Sequence, residues 1–95
     1  MSDQPPADEG DVVFDGNSAA GVLAAAFGAD MTEVPGQCAH CGTVSLVAEL
    51  RAYVRAPGVV LRCPACEGVV LRIVETGEAT YVDARGATYL RLGRR

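Results

Sequence analysis

A chain of 95 residues with no Trp and only three Tyr and two Phe allows one small domain, whose core must rest on Val, Leu and Ala. The net charge of −4 is unevenly placed: residues 1–33 carry seven acidic side chains and no basic one, whereas residues 34–95 carry all eight Arg against five acidic residues. A mildly basic half beside an acidic one fits intramolecular attraction or a weak anionic partner and does not by itself indicate nucleic acid; no apolar run is long enough to span a membrane, and with no signal-like N-terminus the expectation is a cytoplasmic protein.

Residues 1–11 are polar, acidic and Pro-containing, which predicts a disordered acidic tail ahead of a single domain over 12–95. Val12-Val13-Phe14 is a short apolar entry. A helix is predicted over about 17–27, because Ala19, Val22, Leu23, Ala26 and Phe27 recur at helical spacing and form one stripe. Asp15 or Asn17 is placed to cap it, Phe14 to staple its first turns, and Gly28 to end it. The stripe is expected to dock on Val69, Leu71 and Ile73. The opposite face, Ala20, Gly21, Ala24 and Ala25, carries no charge, so it is either a plain exposed surface or the place where a protein partner or a second copy lies.

Ala29 to Gln37 reads as a connector, with Pro35-Gly36 turning the chain. Residues 44–55 alternate as a strand, Ala56-Pro57-Gly58 reads as a turn, and Val59 to Arg62 runs back. With Arg55 opposite Val59, Tyr53 faces Leu61 and Arg51 faces Cys63. The unequal arms then demand a bend near Val47–Glu49. Val69 to Glu75 is nearly all apolar, which predicts a central strand covered on both faces. Gly77-Glu78 turns the chain into Thr80 to Asp83. A tight turn at Arg85-Gly86 joins that strand to one over Thr88 to Leu92, and residues 93–95 form a frayed end.

The four cysteines form two Cys-x-x-Cys pairs, Cys38/Cys41 and Cys63/Cys66, separated by 21 residues. Two residues between cysteines make a tight turn whose ends can meet one ion, and four thiolates suit tetrahedral zinc. A full set of four leaves no open position, so one structural Zn2+ is expected, not a catalytic one. Two disulfides fit a reducing compartment poorly. A thioredoxin-like reading lacks its βαβ context. Iron in a rubredoxin-like site has identical ligands, but Glu67 follows Cys66 where that knuckle favours Gly. His40, between two ligands, is expected to be an exposed knuckle residue. The fold class is therefore small α+β: a zinc ribbon of antiparallel strands with two cysteine knuckles, preceded by one N-terminal helix.

Several stretches occur together: Phe14-Asp-Gly-Asn-Ser-Ala-Ala-Gly-Val-Leu23, Asp30-Met-Thr32, Cys38-Ala-His-Cys-Gly42, Pro57-Gly-Val-Val-Leu-Arg-Cys-Pro-Ala-Cys66 and Asp83-x-Arg-Gly86. In these the chain resembles a family of small uncharacterised actinobacterial zinc-ribbon proteins, a domain of unknown function, over roughly residues 12–92. The resemblance implies a small bacterial zinc-binding protein and supplies no catalytic residues.

Function reads first as a binding or interaction module. The alternatives are a rubredoxin-like iron electron-transfer protein and a nucleic-acid-binding zinc ribbon. No phosphate loop, nucleophile motif or carboxylate pair supports an enzyme, and there is a single His. Arg51, Tyr53 and Arg55 share one strand face, but the expected register sends Arg62 to the other, so no basic stripe emerges.

Overall fold

The computed structural model describes residues 12–15, 19–55 and 58–92. The expected tail at 1–11, the Asn17 cap, the Ala56-Pro57 part of the turn and the frayed 93–95 lie outside the described residues, as does the side-chain contact expected of Phe14. In chain order the elements are β1 (Val12–Asp15), α1 (Ala20–Phe27), β2 (Pro35–Cys38), β3 (Val44–Leu46), a 3-10 turn (Val47–Glu49), β4 (Arg51–Arg55), β5 (Gly58–Arg62), β6 (Val69–Glu75), β7 (Thr80–Asp83) and β8 (Ala87–Leu90). They form a small α+β structure with two antiparallel sheets. The larger runs β1-β4-β5-β6-β7 and the smaller runs β3-β2-β8.

The bend at Val47–Glu49 is present, held by one local contact and two bonds to the 32–34 segment. The Glu49 carboxylate accepts the Leu46 amide at 2.8 Å. Val47 and Ala48 donate to the Val34 and Thr32 carbonyls, each at 2.9 Å. The Asp30-Met31-Thr32 turn that supplies those acceptors is closed by the Asp30 carboxylate, which takes the Thr32 amide at 2.9 Å and its hydroxyl at 2.7 Å. Met31 is left buried beneath it.

Several expectations need correction. The end of the expected connector, Pro35 to Gln37, instead forms with Cys38 the middle strand of the small sheet. Pro35 opens that strand, where a missing N–H costs least. Gly36 sits close to β8, where an added Cβ would press on the end of the Leu90 side chain and approach the Tyr89 carbonyl. The β4–β5 register is one residue tighter than expected: Arg55 pairs with Gly58, Tyr53 with Val60, and Arg51 with Arg62. Gly58 is drawn into the strand, and every side chain of β5 changes face relative to the expectation. β7 and β8 are joined by a tight turn but do not pair; β7 closes the large sheet and β8 crosses to β2. β6 lies inside its sheet but is covered on one face only, for Arg72 is exposed between buried Leu71 and Ile73.

The core is one cluster. Ala52, Val59, Leu61, Leu71 and Ile73 come from the covered face of the large sheet, Leu23 and Ala19 from the helical segment, and Val47, Leu50, Val70 and Met31 fill between. Val70, not Val69, belongs to it. Leu23 is fully buried, while Val22, Ala26 and Phe27 pack partly against the cluster. Burial of Leu23 alone contributes about 1.5–3 kcal/mol. Gly28 ends the helix in the left-handed region at φ 76, donating to the Ala24 carbonyl at 2.7 Å. The N-cap is Ala19, which offers no side-chain cap, and Asp15, expected as a cap, is the last residue of β1.

Candidate metal centre

Both Cys-x-x-Cys segments fold into the same turn. In the first, Cys38 donates to the Thr43 carbonyl and Gly42 donates back to the Cys38 carbonyl, each at 2.9 Å. In the second, Cys63 donates to the Gly68 carbonyl at 2.9 Å and Glu67 donates back to the Cys63 carbonyl at 2.8 Å. Each turn ends in a left-handed residue, Gly42 at φ 83 and Glu67 at φ 67. The first turn joins β2 to β3 in the small sheet, and the second joins β5 to β6 in the large one. The two sheets therefore bring the four cysteines together from opposite sides.

The four Sγ atoms lie within 4.8 Å of one another. Cys38 and Cys66 sulfurs are 3.7 Å apart, as are those of Cys41 and Cys63. All four cysteines are free, and these separations are far from the ~2.05 Å of a disulfide bond. A tetrahedron of sulfurs about 2.3 Å from a central ion has edges of about 3.8 Å. The cluster thus has the dimensions of a four-sulfur metal site. Cys38 and Cys63 are buried, and Cys41 and Cys66 face outward.

Backbone amides are aimed at the sulfurs. His40 donates to Cys38 Sγ and Ala65 to Cys63 Sγ, both at 3.3 Å, and Gly68 donates to Cys66 Sγ at 3.4 Å. The Thr43 hydroxyl lies 3.2 Å from Cys41 Sγ, where it donates to a thiolate. Such donors stabilise the ionised form. The Thr43 hydroxyl, then its amide, hold the Cys41 thiol down at about 6. At Cys66 the Gly68 amide works in the same direction, but desolvation and the sulfurs of Cys38, Cys41 and Cys63 outweigh it and push that thiol up to about 12. Four crowded sulfurs cannot all carry charge without a cation among them.

His40 is exposed, and its Nε2 meets the Val69 carbonyl at 3.0 Å. Its ring lies against Gly68, where an added Cβ would collide with it. It ties one knuckle to the other from outside the sulfur cluster. The Ala39 amide adds a second tie, to the Gly86 carbonyl at 2.8 Å. Thr43 and Gly86 were missed by sequence reasoning. A Thr two residues after a knuckle cysteine was a usable signal; nothing local marked Gly86 as a close-packing position.

Sequence comparison places residues 8–95 in a match to the profile described as "Family of unknown function (DUF6510)". No curated protein and no solved structure matches the chain.

Proposed function

The chain belongs to the family of unknown function DUF6510, and we propose that it is a zinc-ribbon binding module whose Cys38, Cys41, Cys63 and Cys66 hold one structural Zn2+. The observation that carries this reading is the pair of 3.7 Å sulfur separations within a group that spans no more than 4.8 Å. Four protein ligands fill a tetrahedron and leave no position for substrate. The ion then serves as a joint between the small sheet, through Cys38 and Cys41, and the large sheet, through Cys63 and Cys66. Structural zinc contributes about 10–16 kcal/mol in finger peptides, as much as the whole stability of an ordinary small domain.

Elemental analysis of protein purified without added metal tests the reading. One zinc per chain is expected, with loss of β-sheet circular dichroism on complete chelation or in Cys41→Ser. One iron per chain, visible as a red ferric tetrathiolate, makes it an electron-transfer site instead. An unchanged spectrum after all metal is removed rules out a structural ion. The uncharged helix face is the weaker candidate for the partner contact, because Ala20 and Ala24 are already half-buried and only Gly21 and Ala25 are exposed.

A further inference from the structure

The tight β4–β5 register gathers Arg51, Arg62 and Arg72 on one face. Residues directly opposite in an antiparallel pair share a face. Arg51 pairs with Arg62, Tyr53 with Val60, and Arg55 with Gly58. Val60 in turn pairs with Arg72 on β6, Arg72 with Asp83 on β7, and Val74 with Tyr81. The face opposite the core therefore presents Arg51, Arg62 and Arg72, with Tyr53 next to Arg51 and Arg62, and with Tyr81 on the edge strand, diagonal to Arg72. It is open: Arg72 is exposed, Val60 and Val74 are only half-buried, and Tyr81 is 62% exposed.

Charge on this face is positive. Among the described side chains the acid placed on it is Asp83, and Asp15 stands in register with Arg51 on the neighbouring strand β1. Asp83 is held in a two-pronged pair by Arg85, at 2.7 and 3.2 Å, which cancels its charge locally. The Arg62 guanidinium lies 5.4 Å over the Tyr53 ring and donates to the Glu67 carbonyl at 2.8 Å, so its position is fixed. Beside Arg72 the face runs into an open groove of about 350 Å³ lined by His40, Arg72, Asp83 and Arg85.

We propose that this open face of the large sheet binds single-stranded nucleic acid, with bases on Tyr81 and on the Arg62–Tyr53 stack and phosphates at Arg72 and the adjoining groove. The proposal rests on the binding-module reading and names its partner. Cations and aromatic rings side by side on one open sheet face suit the phosphates and bases of an extended strand. Duplex buries its bases and offers the rings nothing to stack on. An acidic peptide complements the arginines but leaves both tyrosines without a role.

The test is fluorescence anisotropy of a short labelled oligothymidylate with the zinc-loaded full chain at low salt. Binding is expected to weaken with salt, and Arg72→Gln is expected to reduce the log–log slope by about 0.7, one phosphate's worth. Tyr81→Ala is expected to weaken affinity about tenfold through lost stacking. Ala24→Glu, on the helix, is expected to change nothing. The assignment is overturned by no binding, by binding indifferent to Arg72→Gln and Tyr81→Ala, by equal affinity for duplex, or by a poly-glutamate peptide of matched charge competing as well as unlabelled oligonucleotide does. Metal content decides the zinc reading separately, so failure of one leaves the other standing.

Discussion

Glu67 occupies, in the second knuckle, the place that Gly42 holds in the first, and both have left-handed backbones at φ 67 and φ 83. A Cβ makes that conformation unfavourable by about 1–2 kcal/mol, part of which glycine returns through its freer unfolded state. The Arg62 guanidinium binds the Glu67 carbonyl, not its side chain, so Glu67→Gly keeps that bond. Glu67→Gly is expected to stabilise the zinc-loaded protein by about 0.5–1 kcal/mol in urea denaturation; destabilisation would show that the carboxylate has a role of its own. At Asp83, the Arg85 guanidinium, with the Arg85 amide, lowers the carboxyl from the ordinary 3.8 to about 2. A depressed folded value means the pair's contribution is complete above about pH 4 and fades as pH falls toward 2. Arg85 is exposed and Asp83 only half-buried, so that contribution is small. By NMR, the Asp83 carboxyl is expected to stay flat down to pH 4.5 in the parent and to begin moving there in Arg85→Ala.

At the scale of elements, the turn between β7 and β8 determines which sheet each strand joins. Gly86 lies so close to β6 that a Cβ would land on the Val69 carbonyl oxygen, while the Gly86 carbonyl holds the Ala39 amide of the first knuckle at 2.8 Å. Gly86→Ala must therefore separate backbone from backbone. Its cost is expected at or above about 3 kcal/mol, the upper range for overpacking, read from the denaturation midpoint. A change below about 0.5 kcal/mol would mean that the turn and β6 do not meet this way. The helix and the bend at Val47–Glu49 were legible in sequence because each follows from local pattern: an apolar stripe ending at Gly28, and two strand arms of unequal length. β2 was not, since Pro35-Gly36 carries turn chemistry and becomes strand only through pairing with β3 and β8 on either side. Nor was the β4–β5 register, because Gly58 serves equally as the last turn residue or the first strand residue, and only the packing of Val59 and Leu61 into the core decides between them.

Across the whole molecule, the two sheets meet at one core and at one sulfur cluster. The cluster was legible because Cys-x-x-Cys spacing forces each pair into a tight turn, and four such residues make a complete ligand set. Most of what surrounds it was not: the His40 link to Val69 and the Ala39 link to Gly86 depend on distant segments brought together by the fold, whereas the Thr43 hydroxyl, two residues from Cys41, was open to a local reading. The positive sheet face was hidden for the same reason, because one residue of register decides on which side Arg62 lies. The central claim is that a single ion sits at the middle of the four sulfurs. X-ray absorption at the zinc edge of the purified protein tests it most directly. The account predicts four sulfur neighbours at about 2.3 Å and no nitrogen or oxygen in the same shell; fewer than four sulfurs, or a nitrogen neighbour from His40, would contradict it.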